Sequence, residues 1–284
     1  VYLERRIMEQ LYGKEYADML ALLGFQDLTK TVDDFGPDNI DTQLKLSLTD
    51  RDPDEGMNDV AYEKGYLLLR TLEELAGRVH FDRYLTGYFN HYAFQSLSTE
   101  QWEAYVRRHL IDSLSIEIDL QTWLYMPGIP EKHSLISSDK FARVDTRARE
   151  FIRLGRLDKS NTRSWSTHEW LHFIRQLPTD LHTSFYDKLD NVFQLSDSGN
   201  SEILVAWLEL SIRSNYLRNH NQQQLEDFLI NVGRRKFLTP LYRALRETDE
   251  LELARAIFAR AKDNYHSIAA KSISDLLHAE TPAI

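Results

Sequence analysis

The chain has 284 residues, no cysteine, 42% hydrophobic residues and a formal net charge of −10 at neutral pH. This length suggests two domains or one large one, and the acidic balance argues against nucleic-acid binding, because phosphate recognition needs clustered Lys and Arg. The missing cysteines exclude disulfides and thiolate metal sites, and no apolar run approaches the ~20 residues that span a bilayer, so we expect a cytoplasmic protein without a membrane partner.

Apolar residues at intervals of three and four predict helices from the start of the chain. Leu3, Ile7 and Leu11 form the first apolar stripe. Further helices are predicted over about 16–23 and 58–75, and from the S-x-x-Q capping box at 98–101. The polar stretch 29–53 contains two turn signals, and residues 42–48 within it are predicted to form a short extended piece.

The segment WLYMPGIP (123–130) separates two parts of the chain, because it concentrates two prolines and a glycine. From residue 139 on, short helices follow one another without a convincing strand. They are predicted over about 139–154, 166–177, 179–194, 200–218, 222–232, 235–247, 249–262 and 266–278. The fold is therefore predicted to be all-α, with a C-terminal α-solenoid-like helical stack of the armadillo/HEAT type.

Five short motifs lie along the chain: VYLERRI (1–7), TDRDPD (49–54), YEKG (62–65), WLYMPGIP (123–130) and GRRKFLTPLY (233–242). In this order they resemble the leukotriene A-4 hydrolase branch of the zinc aminopeptidases, the gluzincins with an HExxH…E ligand set. The matches span almost the whole chain. They indicate the C-terminal part of such an enzyme, beginning just after the family's third zinc ligand.

The resemblance implies a layout. Residues 1–128 would be the helical part of a thermolysin-like catalytic domain, 129–138 a linker, and 139–284 the C-terminal helical domain. The zinc cofactor of the intact enzyme would be bound upstream of Val1, so no metal ligand is expected in this chain. The expected partners are peptide substrates and the missing N-terminal part of the same enzyme, and the chain alone is expected to be inactive.

Tyr62 is the catalytic candidate. The resemblance implies that the tyrosine of YEKG points its phenol at the scissile carbonyl and donates a hydrogen bond to the oxyanion. The alternative is a core tyrosine on the apolar face of a helix, one of the 14 tyrosines in the chain.

Arg234 and Lys236 match the basic pair of the GRxKF signature, which the resemblance assigns to the free carboxylate of the substrate across the domain interface. The alternative is a solvated basic face. Asp54 falls at an acidic position of the family's substrate pocket, although Asp after Pro53 is also typical of a turn.

One position departs from the family pattern. The leukotriene hydrolase proper has a second active-site tyrosine five residues before the YEKG tyrosine, and this chain has Met57 there. A thioether cannot supply a phenol. We therefore expect aminopeptidase activity, with leukotriene epoxide hydrolysis weak or absent.

The run HEWLH (168–172) also fits the HExxH pattern of zinc peptidases, which would make His168, Glu169 and His172 a zinc site. Counting 19 residues onward, as in gluzincins, reaches Asn191 and not a glutamate. The alternative is structural: Ser166 and Glu169 form a capping box, Trp165 and Trp170 a hydrophobic staple, and both histidines face solvent.

Three functions therefore stand side by side. The first is the C-terminal portion of a zinc aminopeptidase that cleaves N-terminal residues from short peptides. The second is a non-catalytic helical scaffold, and the third is an independent zinc enzyme that uses HEWLH.

Overall fold

A computed structural model describes residues 1–51, 56 and 58–278 of the chain. This part of the chain is helical and contains no strand, so the all-α prediction is confirmed. It forms two compact units, Val1–Asp139 and the rest of the chain from Lys140. None of the described helices combines the length and the apolar character that crossing a bilayer requires.

The described residues of the first unit form seven α-helices, together with 3₁₀ and π-helical turns. The helices are α1 (Tyr2–Tyr12), α2 (Lys14–Phe35), α3 (Gly65–Ala76), α4 (Arg78–His91), α5 (Thr99–Val106), α6 (Asp112–Leu114) and α7 (Leu120–Tyr125). Ile40–Thr42 is a 3₁₀ turn, and Val60–Lys64 and Arg107–Ile111 are π-helical. The predicted capping box opens α5: Ser98 and Gln101 each bind the other's backbone N–H.

Two local predictions in this unit need correction. The helix predicted over 16–23 continues to Phe35, because Leu28 and Val32 extend its buried face into the core. In the extended piece predicted over 42–48, Thr42 instead ends the 3₁₀ turn Ile40–Thr42, and Gln43 is the first residue with an extended backbone; residues 43–48 form no strand. The Lys45 N–H donates to the Leu124 carbonyl at 2.8 Å, and a strand needs a ladder of such bonds.

The core of the first unit gathers apolar side chains from α2, α3, α4 and α7. Its fully buried members include Leu28, Leu67, Leu72 and Phe81. The domain boundaries proposed from the sequence stay a prediction. Ser134, inside the predicted linker 129–138, lies in the first compact unit. Its N–H donates to the Thr71 hydroxyl oxygen at 3.0 Å.

The second unit is a stack of short helices. They are α8 (Asp139–Leu154), α9 (Lys159–Thr162), α10 (Thr167–Arg175), α11 (Thr183–Phe193), α12 (Ser201–Arg213), α13 (Leu217–His220), α14 (Gln222–Asn231), α15 (Arg235–Glu247), α16 (Leu251–Ala261) and α17 (Ser267–His278). In one row, α12 packs against α10 and α15, and α15 packs against α17; α14 packs against α16 in another row. Two apolar clusters fill the unit, one around Phe173 and Trp207 and one around Leu241 and Ile257.

Candidate functional site

Tyr62 lies on the π-helical turn Val60–Lys64, directly before α3. Its side chain stays at the surface: the residue is 47% exposed, whereas Val60 on the same turn is buried. Among the described residues, the Tyr62 hydroxyl has no hydrogen-bond partner. Wide turns of this kind often occur at functional sites, because the extra residue redirects a side chain. Tyr62 is therefore not a core tyrosine.

Glu63, the next residue on this turn, faces the protein interior. The Arg5 guanidinium donates to both of its carboxylate oxygens, at 2.9 and 2.8 Å. Both side chains are nearly buried, and the guanidinium lies 4.0 Å from the centre of the Tyr66 ring. Burial raises the pKa of Glu63, and the charge of Arg5 opposes that shift. The pair therefore ties the turn to α1.

Lys64 is fully buried. Its ammonium donates to the carbonyl oxygens of Thr42 and Met126, at 3.0 and 2.9 Å. Burial lowers the pKa of Lys64 to about 8, since an ammonium loses its hydration in the interior. The turn that presents Tyr62 is thus fixed on its inner side by two neighbouring charged residues.

Gly24 lies on α2, against the Arg5–Glu63 pair. A Cβ atom at this position would overlap the Arg5 guanidinium and the Glu63 carboxylate. Any larger residue here would require the Arg5–Glu63 pair to shift. Arg5, Glu63 and Lys64 lie within the motifs VYLERRI and YEKG. The motifs alone assign them no role, because their contacts join segments far apart in the chain.

Arg234 and Lys236 lie in the second unit at the start of α15. Their charged groups approach the same ring: the Arg234 guanidinium carbon is 5.5 Å and the Lys236 nitrogen 5.8 Å from the centre of Phe237. Both residues are exposed. Lys236 also donates to both carboxylate oxygens of Glu202, at 2.7 and 2.9 Å. Glu202 was not foreseen from the sequence, where it stands 34 residues away.

The two remaining candidates of the first unit, Asp54 and Met57, lie outside the described residues. Their roles stay predictions.

The predicted capping box opens α10. The Ser166 N–H donates to the Glu169 carboxylate at 2.9 Å, and the Glu169 N–H donates to the Ser166 hydroxyl oxygen. The rings of Trp165 and Trp170 pack 5.0 Å apart, as a hydrophobic staple requires. The structural interpretation of Glu169 is confirmed.

The two histidines of HEWLH do not face solvent, and that prediction is wrong. His172 is 3% exposed. Its ring stacks on Phe141 at 4.1 Å, and its Nε2 lies 2.7 Å from Asp145. His168 is half-buried, and burial lowers the pKa of both imidazoles. The reason is tertiary: α8 packs Phe141 and Asp145 against His172, on the face of α10 that was predicted to face solvent.

The residues present do not fit a zinc ion. Within 1–51, 56 and 58–278, no group of three or more His, Asp or Glu side chains could hold a metal. At HEWLH, the Glu169 carboxylate is engaged by Ser166, and His172 Nε2 is engaged by Asp145.

Sequence comparison matches both units to known families. The Peptidase family M1 domain matches residues 1–123, and the Leukotriene A4 hydrolase, C-terminal family matches residues 165–277. The chain belongs to the leukotriene A-4 hydrolase branch of the M1 peptidases. The resemblance carried by the five motifs is thereby confirmed, and this M1 chain corresponds to the C-terminal part of its relatives.

Individual M1 relatives cover nearly all of the chain. It is 30% identical to leukotriene A-4 hydrolase of Xenopus laevis over 98% of this chain and 47% of the relative. It is 29% identical to leucine aminopeptidase 2 of Aspergillus niger over 94% of this chain and 45% of the relative. The chain thus spans about half the length of the curated relatives it matches.

A solved structure supports the same fold. A yeast LTA4 hydrolase in complex with bestatin superimposes with a TM-score of 0.86 at 26% sequence identity. The match covers 98% of this chain and 49% of the yeast chain.

Proposed function

We propose that this chain is the C-terminal part of an M1 aminopeptidase that removes N-terminal residues from short peptides. The observation that carries the proposal is the half-exposed Tyr62 phenol on a turn whose next two side chains are both anchored in the interior. The similarity to fungal leucine aminopeptidases supports peptide hydrolysis as the reaction.

Tyr62 acts on the carbonyl of the bond that is cleaved. As water adds to the carbonyl carbon, negative charge develops on the oxygen, and the phenol O–H donates a hydrogen bond to it. A donor placed where charge develops lowers the activation free energy by about 2.7–4 kcal/mol in comparable oxyanion holes. The proton stays on the phenol, so Tyr62 works as a donor and not as a base.

Zinc belongs to the proposed intact enzyme and not to this chain. M1 enzymes of this type would use it to activate the attacking water, and the described residues supply no ligand cluster for it. The similarity to the M1 family supports ligands that lie outside the described residues.

Arg234 and Lys236 bind the free carboxylate at the far end of the peptide. The planar guanidinium suits both carboxylate oxygens at once, and the ammonium adds a point charge. Both residues are exposed at the start of α15 with their cationic groups near the ring of Phe237, which supports this role. Asp54 would line the pocket for the substrate.

Epoxide hydrolysis is not part of the proposal. Met57 replaces the second tyrosine of the leukotriene hydrolase proper, so the enzyme is expected to cleave aminoacyl substrates and to convert leukotriene epoxide poorly.

The remaining half of the enzyme is the proposed partner of α1. Leu3, Ile7 and Leu11 are spaced four residues apart on this helix and are all exposed. An apolar stripe of this kind is suited to packing against another element, and the curated relatives are about twice as long as this chain.

The decisive experiment compares Tyr62→Phe with the exposed control Tyr12→Phe in the full-length enzyme. Loss of the donor should lower kcat by about 10²–10³-fold with little change in KM, and the control should keep wild-type kcat. Undiminished turnover by Tyr62→Phe would reject the role of Tyr62. A wild-type protein that cleaves no aminoacyl substrate would favour the scaffold function instead.

A further inference from the structure

Lys64 is unusual among the charged residues of the first unit, because its side chain is fully buried. A buried ammonium loses its hydration, and proteins normally compensate by pairing it with a carboxylate. Among the described residues, no carboxylate forms an ion pair with Lys64. Two backbone carbonyls take that place, those of Thr42 and Met126.

These two carbonyls belong to segments far apart in the sequence. Thr42 ends the 3₁₀ turn Ile40–Thr42, and Met126 follows α7. The same two segments are joined a second time, since the Gly128 N–H donates to the Thr42 hydroxyl oxygen at 2.7 Å. The Lys64 ammonium therefore binds where these two segments are already hydrogen-bonded to each other. It attaches the π-helical turn Val60–Lys64 to both segments.

The turn is held at further points as well. Glu63 is bound to Arg5 of α1, and Asp59, just before the turn, accepts a hydrogen bond from Thr31 of α2 at 3.0 Å. Tyr62 projects outward between these attachments and, with the small Ala61 before it, forms the exposed side of the turn. A side chain needs such support when it must meet a reacting atom within a fraction of an ångström.

We propose that Lys64 is the positioning residue of Tyr62. Its ammonium, bound to the carbonyls of Thr42 and Met126, holds the π-helical turn in place and so keeps the Tyr62 phenol in one orientation. The kinetic consequence rests on the proposed catalytic role of Tyr62. The anchoring itself does not, and it can be measured in this chain alone.

The first measurement is amide hydrogen exchange in this chain with Lys64→Met. Methionine is unbranched and of similar volume, one atom shorter than lysine, and donates no hydrogen bond. Exchange at residues 60–65 should accelerate at least 10-fold. The second π-helical turn, Arg107–Ile111, serves as an internal reference and should change less than 2-fold, and Lys14→Met is the exposed control. Equal exchange at 60–65 in wild type and variant would overturn the anchoring.

The second measurement is a double-mutant cycle in the full-length enzyme. Lys64→Met should lower kcat about 10-fold with KM nearly unchanged. In the Tyr62→Phe background the same substitution should change kcat less than 2-fold, because the group that it positions is gone. Lys64→Arg, which keeps charge and donors, should restore part of the activity.

The outcomes separate the two hypotheses. Equal losses in both backgrounds would show that Lys64 acts on the fold in general, and would overturn the positioning role. Full activity of Tyr62→Phe would instead reject the proposed role of Tyr62, and the exchange experiment would still decide the anchoring. If Lys64→Met does not fold, Lys64→Gln, which replaces the ammonium by a shorter, uncharged amide, is analysed in the same way.

Discussion

The ammonium of Lys236 is held by both carboxylate oxygens of Glu202, at 2.7 and 2.9 Å. The two side chains are 57% and 34% exposed. An ion pair at this exposure is weak, about 0.2–1 kcal/mol, because water and salt screen it. A substrate carboxylate proposed to bind Lys236 must therefore compete with an internal carboxylate that is easily displaced.

This competition gives the first prediction. Glu202→Gln removes the competing charge, so KM for peptides with a free C-terminal carboxylate should fall up to about 5-fold, with kcat unchanged. Amidated peptides should show no gain. The control is Glu226→Gln, which disrupts a similar exposed pair with Arg260 in the same unit. An equal gain with amidated peptides would contradict binding of the carboxylate by Lys236.

The second prediction concerns Gly24. Alanine normally stabilises a helix by up to ~1 kcal/mol relative to glycine, but at position 24 its Cβ would overlap the Arg5–Glu63 pair. Gly24→Ala should therefore lower the free energy of unfolding by about 1–3 kcal/mol. Gly65→Ala is the matched control, since its Cβ would meet Leu44 only at 3.9 Å. Denaturant unfolding measures both, and a stabilised Gly24→Ala would contradict the close approach.

The third prediction separates capping from catalysis at Glu169. Glu169→Gln should leave peptidase activity intact and change stability little, because Gln101 performs the same capping role in the Ser98 box. Glu169→Ala should cost about 1 kcal/mol of stability, again without loss of turnover. Activity and melting temperature are measured together with zinc content. A loss of several orders of magnitude in kcat for Glu169→Gln would revive the HEWLH zinc site.

The fourth prediction is a pH dependence of stability. Burial is the main cause that lowers the pKa of His172, and its hydrogen bond to Asp145 opposes the shift. The unfolded chain therefore binds more protons than the folded chain at pH values below the ordinary histidine pKa of about 6.5. The free energy of unfolding should thus fall as the pH decreases through 6.5 towards the lower folded pKa.

Urea unfolding between pH 7 and pH 5 tests this dependence. His172→Gln, which stays neutral, should show a shallower loss of stability than wild type over the same range. His278→Gln is the control at an exposed position. Parallel curves for wild type and His172→Gln would rule out His172 as the source of the acid sensitivity.

Local patterns in the sequence predicted much of the fold. The helices Asp139–Leu154 and Arg235–Glu247 begin and end where the apolar periodicity placed them. Both capping boxes form as their spacing predicts. These features depend on residues within four positions of one another, and such interactions are specified by the chain itself.

The candidate site was only partly accessible in this way. The sequence motifs identified Tyr62, Arg234 and Lys236 as candidates. They did not identify the residues that fix the turn of Tyr62 or pair with Lys236. Lys64 is a fully buried lysine, and His172 was expected at the surface but is buried. No local pattern predicts either position, because burial depends on what the rest of the chain brings to that face.

The sequence by itself determined an all-α chain of the M1 family, the positions of several of its helices and both capping boxes. Only the tertiary structure decided that Lys64 binds the carbonyls of Thr42 and Met126. It also decided that Arg5 pairs with Glu63 beside Gly24, and that Glu202 forms an ion pair with Lys236. The physical reason is range: helix periodicity and capping act between neighbours in the chain. Burial, charge pairing and close backbone approach instead act between residues that become neighbours only after folding.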